Sequence, residues 1–334
     1  MNMKKWLDEM LRAPEKKALP VLSFPSIALM GITVKDLIAD SDTQAKGMKL
    51  IADRTDAAAS VSMMDLSVEA EVFGSEIRFS DEEVPTVVGA IVTSLEQAEA
   101  LRVPQVGEKR TGLYIDAIGK AKRLITDRPV FAGVIGAFSL AARLMDVSEA
   151  MLYCYDDPDM VHALMKKVTA FLIEYTKAYK AAGADGVVMA EPVTGILSPA
   201  LASEFSEPYI RQIVDAVQDD HFLVIYHNCG SNTVLMMDSI LRTGAAAYHF
   251  GNAVSMKEVM EKMPADVVAM GNVDPASQFR NGTPESIKEE TRKVMEECTA
   301  YPNFVISSGC DIPPLSPWEN IDAFFEAVKE FYAR

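Results

Sequence analysis

Phe222-Leu223-Val224-Ile225-Tyr226-His227-Asn228-Cys229-Gly230 is a short apolar run, rich in branched and aromatic residues, that halts at two soft metal ligands and a glycine. Its length and composition predict a buried strand. In an extended chain, residues two apart point to the same side, so the His227 imidazole and the Cys229 thiol can converge on one point. Gly230-Ser231-Asn232 then turns the chain toward a new helix. A second run, Phe304-Val305-Ile306-Ser307-Ser308, ends in Gly309-Cys310-Asp311 and brings a third soft ligand to another strand end. One imidazole and two thiolates with a fourth position open is a zinc donor set. The spacing between Cys229 and Cys310 is not local, so the fold must bring the two strand ends together.

The same pattern recurs along the chain. Ser26–Met30 is a first predicted strand, ending at Gly31, and Ala57–Met64 a second, ending in Asp65. Residues 129–136 are the third, Gly186–Ala190 the fourth, ending in Glu191, and the opening run the fifth. Ala245–Phe250 is the sixth, before Gly251-Asn252; residues 267–270 are the seventh, before Gly271-Asn272-Val273-Asp274; the eighth ends at Cys310. Helical spacing separates them, most clearly after Asp157-Pro158, where Val161, Leu164, Met165, Val168 and Leu172 form one stripe and Gly183 closes it. Residues 66–93 read as an irregular or hairpin excursion, and residues 2–13 as a short leading helix. Strands apolar on both faces and alternating with helices predict a parallel sheet. Eight of them predict a (β/α)8 TIM barrel, one domain over residues 1–334 with a short N-terminal helical extension. An open doubly wound sheet is the alternative, disfavoured because no Gly-x-Gly-x-x-Gly follows an early strand.

Bulk properties narrow the function. A net charge of −16 argues against nucleic acid and anionic membranes as partners, and against a polyanionic substrate. No run of 18 apolar residues is present and the first residues lack the apolar core of a signal peptide, so a cytoplasmic protein is expected. Four unevenly spaced cysteines do not suggest a disulfide framework, and a reducing compartment keeps thiolate ligands available. The 19 methionines read as core filler.

Asp65, Glu191, His227, Asn252, Asp274 and Cys310 all stand at carboxyl ends of predicted strands, where barrel enzymes keep their active sites. His227, Cys229 and Cys310 are the candidate metal ligands. Glu191 is either a displaceable fourth ligand or proton acceptor, or a capping carboxylate. Asp274, before a proline, is a catalytic candidate or a turn cap. Asn252, Asp65 and Asp311 are candidates for the substrate pocket, and Asp311 also for orienting a group beside Cys310. His249 reads as barrel lining; His162, His221, Cys154 and Cys298 read as structural.

Gly183–Pro192, the His-x-Cys-Gly of 227–230, Gly271–Pro275 and Gly309–Ile321 resemble the uroporphyrinogen decarboxylase superfamily, and within it the cobamide-dependent methyltransferases that use coenzyme M. The resemblance runs over most of the chain and is strongest from about residue 183 onward. It implies a TIM barrel in which zinc on His227, Cys229 and Cys310 activates a thiol. That thiol takes a methyl group from a corrinoid (methylcobamide) on a partner protein. It also implies that a true decarboxylase would carry arginines near the N-terminus, and Leu22–Met30 has none. Glu191-Pro192 stands where the methanogen enzymes imply Asp-Pro, which leaves the methyl donor and acceptor open. The alternatives are a corrinoid-dependent demethylase of methoxylated or methylamine-type compounds, a divergent decarboxylase-like lyase that needs no metal, and a non-catalytic binder with structural zinc. No corrinoid-binding Asp-x-His-x-x-Gly motif is present, so the corrinoid is expected from another protein. Oligomeric state is not readable.

Overall fold

All six residues of the strand Leu223–Asn228 are buried, as a strand covered on both faces requires. The computed structural model describes residues 1–333. Its strands in chain order are β1 (Ser60–Val61), β2 (Glu76–Arg78), β3 (Thr86–Val88), β4 (Val130–Ile135), β5 (Gly186–Ala190), β6 (Leu223–Asn228), β7 (Ala247–Phe250), β8 (Val268–Val273) and β9 (Phe304–Ser308). Seven of them form one parallel sheet in the order β1-β4-β5-β6-β7-β8-β9. β2 and β3 pair as an antiparallel hairpin, the excursion expected within 66–93.

Strand parity separates two cores. Val188, Leu223, Ile225, Ala247, Met270 and Val305 share an inner cluster, while the alternating Val187, Val224, Tyr226, Tyr248, Ala269 and Ile306 pack outward with the helices. The sheet is therefore curled around a filled lumen, the TIM-barrel-like architecture. The helix Met3–Arg12 closes the amino-terminal end of that lumen. Met3 and Met10 belong to the inner cluster, Trp6 meets Phe131 at 5.8 Å between ring centroids, and the Met3 N–H donates to the Asp220 carbonyl at 2.7 Å.

The first predicted strand is corrected. Ser26–Met30 is a short helix, and Gly31 ends it in the left-handed region at φ 66°. Five residues, four of them apolar, fit either period, and the flanking Pro25 and Gly31 decide for the helix. The lumen is closed instead by residues 18–21. The Leu19 N–H donates to the Ile306 carbonyl of β9 at 3.0 Å, and the Ala58 N–H, just before β1, donates to the Ala18 carbonyl at 2.8 Å. Pro20 has no N–H, so this segment bridges β9 and the approach to β1 without forming a regular ladder.

The second predicted strand shortens to Ser60–Val61, and the helical stretch between the first two predicted strands divides into Val34–Ala39 and Ser41–Arg54 at Asp40, whose carboxylate caps the Thr43 N–H at 2.7 Å. The long helix runs Pro158–Ala181 with Asp157 as its cap. Among the described residues, no helix is long and apolar enough to cross a membrane.

Candidate metal centre

Inward parity continues past the inner core. His227 follows Ile225 on β6, His249 follows Ala247 on β7, and Ser307 follows Val305 on β9, so all three face the carboxyl-end mouth of the lumen. β7 and β8 separate β6 from β9 in the sheet, yet the curl brings their ends together across the mouth. The ligand atoms of His227, Cys229 and Cys310 all lie within 4.8 Å of one another, with Cys310 Sγ 3.5 Å from His227 Nε2. Sulfur and nitrogen bound to one tetrahedral zinc stand about 3.6 Å apart. The residues therefore fit the ion in donor type and in spacing. Among the described residues no carboxylate joins the cluster.

Local structure holds the ligands in place. Asn228 Oδ1 accepts from the Gly230 N–H at 3.0 Å and from Thr233 Oγ1 at 2.8 Å, which fixes the turn carrying Cys229. Gly251 lets this turn approach the end of β7: a Cβ there would stand 2.4 Å from Cys229 Cβ. The two thiols hydrogen-bond to each other. That bond lowers the Cys229 pKa below the usual thiol value, and the same bond together with burial pushes Cys310 up to about 12. Behind the triad, His227 Nδ1 lies 2.7 Å from His249 Nδ1, and His249 Nε2 lies 2.7 Å from Ser307 Oγ. Burial, reinforced by the neighbouring His227, holds His249 well below the usual imidazole pKa, so it is neutral.

The other predicted site residues have different partners. Glu191 Oε1 accepts from the Phe138 N–H at 2.9 Å, and Oε2 accepts from the Ser139 N–H, Ser139 Oγ and Thr194 Oγ1. It caps the helix Ala137–Met145 from the neighbouring strand, where its charge also suits the helix terminus. Burial raises its pKa despite these bonds. Asp274 likewise caps, its Oδ1 accepting from the Ala276 and Ser277 N–H groups. It lines a polar surface cleft of about 450 Å³ with Asn252, Asn272 and Lys293, and none of the three metal-site residues lines that cleft.

Asp65 is tied by Ser67 at one oxygen and by Arg110 and Tyr114 at the other. Exposed Asn252 packs on Gly309, where a Cβ would lie 2.8 Å from the Asn252 nitrogen. Asp311 accepts the Met64 N–H at 2.9 Å on Oδ2, while its buried Oδ1 has no partner. Burial, with Cys310 and Asp65 nearby, raises the Asp311 pKa well above the carboxylate range. The sequence reading missed the role of Asn228 and the contact between His227 and His249. Both were signalled, the first by Asn-x-Gly after a strand, the second by two histidines in register on adjacent strands.

A family model described as uroporphyrinogen decarboxylase (URO-D) matches residues 25–331. The chain belongs to the uroporphyrinogen decarboxylase family. Within this family, the methylcobamide:CoM methyltransferase MtbA of Methanosarcina acetivorans is 28% identical over 274 residues, 80% of this chain and 78% of that one. The uroporphyrinogen decarboxylase of Chlorobium luteolum is 30% identical over 294 residues, 83% of this chain and 80% of that one. A solved structure described as a methyltransferase from Methanosarcina mazei covers 99% of both chains with a TM-score of 0.85 at 23% identity, so the two share a fold. The relatives matched in sequence are named either as methyltransferases or as decarboxylases.

Proposed function

We propose that this enzyme moves a methyl group between a methylcobamide, carried by a separate corrinoid protein, and a small thiol such as coenzyme M, in the cytoplasm. The observation that carries the reading is the meeting of Cys310 Sγ and His227 Nε2 at 3.5 Å, with Cys229 in the same cluster. His227, Cys229 and Cys310 would hold zinc. Zinc so held, with two thiolates offsetting its charge, lowers the pKa of a bound thiol so that thiolate is available near neutral pH.

The chain's residues do the rest. The glycine-lined turns at 229–230 and 309–310 hold the two sulfurs. Asp311, the only predicted site residue with a buried oxygen free of partners, offers Oδ1 to a substrate beside Cys310. Glu191 and Asp65 hold the wall rather than the substrate. In the transfer itself the sulfur–carbon bond forms and the cobalt–carbon bond breaks with its electron pair left on cobalt. The thiol proton goes to solvent.

The test is metal analysis together with a methylcobalamin-plus-thiol assay, comparing the wild type with Cys310→Ala. One zinc per chain and thioether formation that disappears in the variant are expected. Full activity of metal-free protein would refute the proposal.

A further inference from the structure

The hydrogen-bond directions behind His227 can be read from an atom that has no choice. The Leu19 carbonyl, on the segment that closes the barrel, can only accept, and Ser307 Oγ donates to it at 2.7 Å. Its single proton spent, Ser307 offers only a lone pair to His249 Nε2 at 2.7 Å, so that nitrogen carries the N–H. A neutral imidazole has one N–H, which leaves His249 Nδ1 as an acceptor. His227 Nδ1, 2.7 Å away, must then be the donor. His227 Nε2 is left with its lone pair, and Nε2 is the atom that faces Cys310 Sγ. In the other tautomer the same nitrogen would carry a proton and could not ligate. The parallel register that sets His227 opposite His249 builds this chain of bonds into the sheet.

We propose that His249, anchored through Ser307 to the Leu19 carbonyl, is a positioning residue that fixes the tautomer of His227 and presents a ligating Nε2 before any metal arrives. The inference rests on the metal reading above, and it gives roles to His249, which the sequence reads as barrel lining, and to Ser307 and Leu19. An outer partner of this kind sets ring orientation and ligand basicity, and its loss costs roughly 10- to 100-fold in metal affinity.

The test has two readouts on the full chain. Nitrogen-15 NMR of the metal-stripped wild type should show His227 protonated at Nδ1 and bare at Nε2. A proton on Nε2 would overturn the inference. Chelator competition should show zinc bound roughly 10- to 100-fold more weakly by His249→Leu. His249→Asn, whose Oδ1 still accepts from His227, should stay within a few-fold of wild type. Ser307→Ala removes the anchor without touching His227, and should mix the two tautomers and weaken zinc. Folded Leu and Ala variants with wild-type zinc affinity would also overturn it. If the Leu variant does not fold, the Asn and Ala variants decide. A wild type that binds no zinc would sink the metal reading, while the NMR result would still judge the tautomer.

Discussion

Glu69 offers a prediction whose size follows from its surroundings. It lies on the helix Val68–Phe73 after β1 and is 2% exposed. Oε1 accepts the Ile135 N–H at 3.1 Å, and Oε2 has no partner. Burial, helped by the charge of Asp65 and opposed by the Ile135 N–H, raises its pKa from 4.5 to about 7. Between those values the native state holds a proton that the unfolded chain has released. Stability therefore falls as pH rises through this window, and the penalty is complete above the folded pKa. Each pKa unit is worth about 1.4 kcal/mol, so the shift corresponds to about 3 kcal/mol.

Glu69→Gln keeps a carbonyl acceptor for Ile135 and cannot ionise. Its new N–H2 lacks a partner, a pH-independent cost of about 1–3 kcal/mol. The mutant-minus-wild-type difference in unfolding free energy should thus rise by about 3 kcal/mol from pH 4.5 to pH 8. Urea unfolding at several pH values, followed by circular dichroism, measures that slope. A difference that stays flat across the window would refute the reasoning.

Other consequences concern the site and the barrel floor. Because the Cys310 thiol is pushed up to about 12, it keeps its proton until metal displaces it. Zinc affinity, measured by chelator competition, should therefore rise between pH 6.5 and 8 by up to about tenfold per unit for each proton released. Cys310→Ala should show a shallower slope as well as weaker binding. Asp311→Ala should raise the KM for the thiol roughly tenfold, the worth of one hydrogen bond, with zinc content unchanged; an unaltered KM would remove Asp311 from substrate binding. Met3 is fully buried at the lumen floor, so Met3→Ala should cost about 2–5 kcal/mol in thermal unfolding while leaving zinc stoichiometry intact.

The barrel was legible because most of its strands are apolar on both faces and end in polar residues. β5 and β9 fall on the expected bounds. The closing segment was not legible, because Leu19-Pro20-Val21 lacks the donor that a regular strand needs and its partners are remote in sequence. The meeting of His227, Cys229 and Cys310 could be anticipated from residue type and parity. The duties of Glu191 and Asp274 could not, since a carboxylate at a strand end looks the same whether it meets a substrate or a helix terminus. Only the Phe138, Ser139, Ala276 and Ser277 N–H groups distinguish the two.

The central claim is that His227, Cys229 and Cys310 meet around one ion and leave a place for a thiol. Zinc-edge X-ray absorption on the full chain, with and without a small thiol, tests it directly. The account predicts two sulfurs at about 2.3 Å and one imidazole nitrogen at about 2.0–2.1 Å, with a third sulfur appearing when the thiol is added. A sulfur count that stays at two on adding the thiol, or a chain that retains no zinc, would contradict it.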